Sequence, residues 1–123
     1  MTDLGRRIAS RHPEVQIGVD VPAERGARFG IPRELAVYRV AQEAITNAIR
    51  HGEAPVINVE MSREPRLIVL RVSDDGAGFD PASVTLGFGL LGMRERAELA
   101  SGALEIRSEV GVGTVIELRL PLG

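Results

Sequence analysis

The residues that could do chemistry concentrate first between Leu35 and His51, in LAVYRVAQEAITNAIRH. Arg39, Glu43, Asn47, Arg50 and His51 follow one another at short steps, and steps of three or four stack side chains along one helix face. Asn47 has Ala44, Ile45, Ala48 and Ile49 as neighbours. Asparagine is a poor helix former because its side chain competes for the backbone, so an amide there wants a reason. One reason is structural, a hydrogen bond to a neighbouring loop. The other is a hard cation. Glu43, one turn back, adds a second oxygen donor, and magnesium takes oxygen ligands, keeps several waters and needs only one or two protein groups. The whole line reads either as a solvated helix face or as part of a site.

Three glycine-bearing stretches follow. Asp74-Asp75-Gly76-Ala77-Gly78-Phe79 comes directly after an apolar run. Glycines there let the backbone turn sharply and approach a ligand, and the acid ahead of them can accept a hydrogen bond from an exocyclic amine. Asp and Gly also make ordinary turns. Gly87-Phe88-Gly89-Leu90-Leu91-Gly92-Met93 leads into a helix start, where free N–H groups and the helix dipole suit an anion. It is not a Walker loop, having no Lys, and it lacks the βαβ setting of a dinucleotide fingerprint. Gly111-Val112-Gly113-Thr114 is explained as a hairpin turn, although the Thr114 hydroxyl is free to point at a ligand.

These groups need elements to hold them. The long helix, 35–51, buries Leu35, Tyr38, Ala41, Ala44, Ile45, Ala48 and Ile49, with Pro32 in its first turn. A short helix over 3–11 ends at His12-Pro13. Val15, Ile17, Val19 and Val21 alternate with polar or small residues, the pattern of a half-buried strand. Val56–Ser62 alternates likewise, and Leu67–Val72 is nearly all apolar, so it is a central strand paired with its predecessor as an antiparallel hairpin. After a loop from Asp80 to Gly89, Leu90–Ser101 is a helix stopped by Gly102. Ala103–Ser108 and Thr114–Leu120 are the last strands. The order α-β-α-β-β-loop-α-β-β predicts an α+β two-layer sandwich. Its five-stranded sheet is mixed but mostly antiparallel, with the helices on one face.

At 123 residues the chain fits a single domain over 1–123. Its net charge of −2 and 3% aromatic content argue against direct nucleic-acid contact. No apolar run approaches the roughly 20 residues of a membrane span, so no membrane contact is expected from this domain. The absence of cysteine excludes thiolate chemistry and fits a cytoplasmic setting. All 15 basic residues are arginine, so any phosphate contact from a basic residue uses a guanidinium.

Taken in order, E-x-x-x-N, D-x-G-x-G, G-x-G-L-x-G-M and G-T resemble the motifs of the GHKL superfamily of ATPases. That superfamily groups gyrase, heat-shock chaperone, mismatch-repair and histidine kinase ATP-binding domains. Tyr38 to His51 and Gly92-Met93-Arg94-Glu95-Arg96 are similar to one histidine kinase subfamily, with short ATP lids and helix-turn-helix response regulators as partners. The resemblance implies a Bergerat-type fold with ATP and Mg²⁺ as cofactors, and a role for each motif residue. Asn47 would coordinate the metal, and Glu43 would be a second metal contact or the base. Arg50 and His51 would face phosphate oxygens. Asp74 would accept from the adenine amine with Thr114 nearby through water, and Gly76 and Gly78 would admit the base. Gly87, Gly89 and Gly92 would hinge a lid that Leu90 and Met93 help to close. The family commonly has Lys where this chain has Arg50.

A histidine kinase passes the γ-phosphoryl group of ATP to a histidine followed by an acid on a separate dimerisation domain. Here His12 precedes Pro13 and His51 precedes Gly52. The phospho-acceptor domain is therefore expected as a partner outside this chain, with a response regulator downstream. Two alternatives are a stand-alone serine kinase of the anti-sigma type and a nucleotide-binding interaction module without catalysis. The Gly-Met-Arg-Glu-Arg segment argues against the first, and intact Glu43, Asn47 and Asp74 against the second.

Overall fold

A computed structural model describes residues 14–20, 30–51, 53, 55–80 and 89–122. The expected helix over 3–11 and most of the loop from Asp80 to Gly89 lie outside the described residues. Strand β1, Gln16–Asp20, is followed by helix α1, Ile31–Arg50. Strands β2, Val56–Glu64, and β3, Leu67–Asp74, come next. Helix α2, Leu90–Leu99, precedes strands β4, Ala103–Glu109, and β5, Gly113–Pro121. The sheet order is β1-β2-β3-β5-β4, with β1 parallel to β2 and every other pair antiparallel. The apolar run at Leu67–Val72 is central, as its composition predicts, and the sheet is mixed and mostly antiparallel.

Helix α1 begins four residues before Leu35. Pro32 sits in its first turn and Glu34 faces the positive end of the dipole, while Arg50 faces the negative end. Leu35 is 38% exposed, contrary to its expected place in the core. The stripe that packs on the sheet runs instead through Ala36, Val37, Val40, Ala41, Ala44, Ile45 and Ala48. Opposite lie Ile57 and Val59 of β2, Ile68, Leu70 and Val72 of β3, and Ile116, Leu118 and Leu120 of β5, alternate residues pointing to one side. Met93 and Ala97 of α2 complete the layer.

The end of α2 departs from expectation. Ser101, not Gly102, takes the left-handed conformation, at φ 58°. Ser101 N–H donates to Glu98 O (2.9 Å) and Gly102 N–H to Ala97 O (2.7 Å), the paired bonds of a Schellman turn. Gly102 is glycine for another reason: a Cβ there would meet Arg119 O and Leu120 Cδ2 at 2.5 Å.

On the outer sheet face, Glu60, Arg71 and Glu117 lie side by side on β2, β3 and β5. Glu117 is only 7% exposed, held by Arg119 (2.8 Å) and Arg71 (3.5 Å). Among the described residues no helix is long and apolar enough to cross a membrane.

Candidate functional site

The alanines of α1 leave room beside the sheet, and a cleft opens there. Ala44, Asn47, Ala48 and His51 line one wall, the i, i+3, i+4, i+7 face of α1. The facing wall is Asp74 at the end of β3, Gly78 and Phe79 of the turn after it, Thr114 and Ile116 of β5, and Leu90 at the start of α2. Residues far apart in sequence thus share one site because β5 begins beside the end of its antiparallel neighbour β3, with Asp74 directly opposite Thr114.

The two consecutive acids have different tasks. Asp75 Oδ1 accepts from Val56 N–H (3.1 Å), while Asp75 N–H donates to Val56 O (3.4 Å), which secures the first residue of β2. Asp74 belongs to the cleft. Its Oδ1 accepts from Gly76 N–H at 2.8 Å. Burial pushes its pKa above the ordinary 3.8, and the neighbouring charge of Asp75 adds to that. Hydrogen bonds from the backbone of Gly76 and Thr114 oppose the rise without cancelling it.

Two of the glycine motifs lock into each other. Gly78 has φ +65°, and a Cβ there would run into Glu109 O and come within 3.0 Å of Gly113 O. Gly113 has φ +136°, and a Cβ on it would collide with Asp74 O. Gly111 N–H donates to Ala77 O at 2.7 Å. The turn after β3 and the β4–β5 hairpin therefore pack backbone on backbone, which only glycine permits. Ser108 joins them: its Oγ accepts from Phe79 N–H (2.8 Å) and lies 2.8 Å from Thr114 Oγ1.

The remaining candidate residues fall around this cleft in different ways. Glu43 is exposed and lines a separate, neighbouring hollow with Arg39, Gly92, Met93 and Arg96. Its carboxylate lies over Gly89, where a Cβ would come within 2.6 Å of Oε2. Gly89 is the left-handed N-cap of α2, at φ 67°. Gly92 lies inside α2, in helical conformation, so the turn into the helix falls at Gly89. Met93 is 1% exposed and belongs to the core. Arg50 is exposed at the end of α1 and is not among the residues lining the cleft. Gly76 is half-buried and supplies the N–H that fixes Asp74. Gly87 lies outside the described residues.

Sequence reasoning missed Phe79, Ser108, Ala44, Ala48 and Ile116 as parts of the site or its support. A signal existed for Ser108. It continues the half-buried line of Leu104 and Ile106 on β4, so a hydroxyl there faces inward.

Residues 33–123 match the family model for histidine kinase-, DNA gyrase B- and HSP90-like ATPases. The chain is 40% identical over 93 residues to the signal transduction histidine-protein kinase/phosphatase DegS of Bacillus subtilis, covering 72% of this chain and 24% of that protein. It is 39% identical over 99 residues to the oxygen sensor histidine kinase NreB of Staphylococcus carnosus, covering 77% of this chain and 28% of that protein. This chain thus spans about a quarter of the length of either relative. Its fold superposes on the blue-light activated histidine kinase of Erythrobacter litoralis with a TM-score of 0.83 at 17% identity, over 98% of this chain and 40% of that one. The chain belongs to the histidine kinase-, DNA gyrase B- and HSP90-like ATPase family.

Proposed function

We propose that this domain binds Mg–ATP in the cleft beside α1 and donates the γ-phosphoryl group to a histidine on a separate dimerisation domain of a two-component sensor kinase. A response regulator would stand downstream, and the setting would be cytoplasmic. The observation that carries the reading is the pairing of Asp74 and Asn47 across one cleft. A half-buried carboxylate fixed by backbone N–H groups faces an amide on a wall that it shares with Ala44, Ala48 and His51.

The chain's own groups suggest a division of labour. Asp74 accepts from the exocyclic amine of the base. Phe79, Ile116 and the alanines of α1 supply apolar surface for its ring, and Gly78 keeps the turn clear of a side chain. Asn47 and His51 share that helix face with Ala44 and Ala48 and would face the phosphates. The donor set fits magnesium. Asn47 offers an amide oxygen in the cleft and Glu43 a carboxylate one turn away in the neighbouring hollow, and among the described residues no group of three or more His, Cys, Asp and Glu could hold a metal ion by itself. Such a set suits an ion held mainly by phosphate and water. Magnesium, when bound, neutralises charge on the phosphates during transfer. Otherwise catalysis is positioning, and Glu43 would be a second metal contact or the base that orients the attacking group.

Mixing this domain with Mg–ATP and the acceptor domain of its parent kinase should produce phosphohistidine on the acceptor, with little ATP hydrolysed by this domain alone. Nucleotide binding without any transfer to that acceptor would overturn the kinase reading.

A further inference from the structure

Asp74, Thr114 and Ser108 lie in one row across β3, β5 and β4, each opposite the next. Asp74 and Thr114 line the cleft, whereas Ser108 is not among its lining residues. The Ser108 hydroxyl has close polar contacts with Phe79 N (2.8 Å), Gly113 O (3.2 Å) and Thr114 Oγ1 (2.8 Å). Its protons can be assigned by what each neighbour is able to do. An amide N–H only donates and a carbonyl only accepts, while a hydroxyl has one proton and two lone pairs. The Ser108 proton therefore goes to Gly113 O, and one lone pair accepts from Phe79. The contact with Thr114 must then use the Thr114 proton. This is the one assignment in which all three contacts are hydrogen bonds.

The consequence falls on the cleft. With its proton committed to Ser108, Thr114 has only lone pairs left to offer a ligand. Asp74 beside it, when ionised, is also an acceptor only. We propose that Ser108 is a positioning residue that makes Thr114 a pure acceptor and thereby sharpens selection for a base with an exocyclic amine over one with a carbonyl at that place. The proposal rests on the nucleotide reading of the cleft. A carbonyl edge would meet two acceptors and no donor, leaving its oxygen unpaired, whereas an amine finds partners for its protons. Ser108 also ties Phe79 to the hairpin, so the apolar wall and the polar edge of the site are set by one side chain.

The test uses wild type, Ser108→Ala and Ser108→Thr, each titrated with Mg–ATP and with Mg–GTP. Amide exchange at Phe79 is followed without nucleotide. Removing the hydroxyl frees the Thr114 proton to face the ligand. Ser108→Ala should lose about five- to tenfold more in ATP affinity than in GTP affinity, so that discrimination falls by that factor. Phe79 should exchange faster. Ser108→Thr keeps the hydroxyl in a residue strands tolerate and should restore discrimination to within about twofold. Equal losses for both nucleotides would mean a merely structural role and would overturn the proposal, as would an unchanged ratio. A wild type that binds neither nucleotide sinks the reading of the cleft itself, an outcome distinct from wild-type binding that Ser108→Ala leaves unaltered.

Discussion

Asp74 shows how one side chain can be costly for the fold and useful for the site. Its raised pKa means that the folded protein holds the carboxyl proton more tightly than the unfolded chain, where the value is the ordinary 3.8. Stability therefore falls as pH rises from that value through the raised one, and levels off above it. Asp74→Asn removes the titration while its side-chain oxygen can still accept from Gly76. Urea unfolding of the apo protein across that window should give a flatter pH profile for the variant, with no loss of stability at neutral pH. Nucleotide binding should move the other way. Asp74→Asn turns an acceptor into a donor at the exocyclic amine, and calorimetry should show ATP affinity weakened by about 1–3 kcal/mol. In wild type, affinity should likewise decline as pH falls through the raised pKa and the carboxylate is protonated. Asn47 makes a separate prediction. Asn47→Ala should cost at least about tenfold in phosphotransfer to the partner histidine, through loss of an oxygen ligand of the metal, and far less in metal-free ADP binding. Full magnesium-dependent transfer by that variant would remove Asn47 from the metal. Asp74 and Asn47 were legible in the sequence because an acid ending a buried strand and an amide within a helix each want a reason, whereas Gly78 and Thr114 fit ordinary turns and stood out only through the ordered set of motifs. Phe79 and Ala44 carry no such signal, and their part in the cleft depends on tertiary packing that spacing does not encode.

At the scale of elements, periodicity is a sound guide wherever one face is buried. The alternation in β2 and β5 and the apolar run of β3 announce strand, pairing and centrality together. The long helix is equally plain, yet Leu35 shows the limit. It fits the spacing of the stripe but is partly exposed, while Val37 and Val40 are buried. The end of α2 was misassigned for a related reason. Glycine after a helix usually marks the left-handed residue, and here it marks a close approach to β5. That distinction predicts opposite outcomes at adjacent positions. Ser101→Gly removes the strain of a left-handed side chain, about 1–2 kcal/mol, against a smaller loss of chain entropy. It should leave stability unchanged or raised by up to about 1 kcal/mol. Gly102→Ala forces a methyl against Arg119 O and Leu120, and should lower stability by about 1–3 kcal/mol. Denaturant midpoints of the two variants check both signs, and the reverse order would return the left-handed role to Gly102.

In the molecule as a whole, the core and the cleft meet at Ala44, Ala48 and Ile116, which belong to both, while other core residues lie away from the cleft. Leu70, Ile68 and Leu118 lie deep in the layer that α1 covers, and none of them lines the cleft. The cleft forms where β3 ends and β5 begins, and Asp74 is fixed there by backbone N–H groups of Gly76 and Thr114. Global stability and ligand binding should therefore separate. A ligand that binds only the folded state adds about 2.7 kcal/mol at a hundred times its Kd, which for a domain of this size raises Tm by roughly 10 °C. Mg–ATP should give that increment with wild type. Leu70→Ala opens a cavity in the core and should lower stability by about 2–5 kcal/mol, yet the increment from Mg–ATP should survive almost unchanged at the lower Tm. Asp74→Asn should do the reverse, keeping the apo Tm and losing most of the increment at the same ligand concentration. Thermal unfolding of the three proteins with and without Mg–ATP decides the matter. Should Leu70→Ala abolish the increment while remaining folded, the cleft would depend on the core packing beneath the sheet centre, and the separation argued from the lining residues would fail.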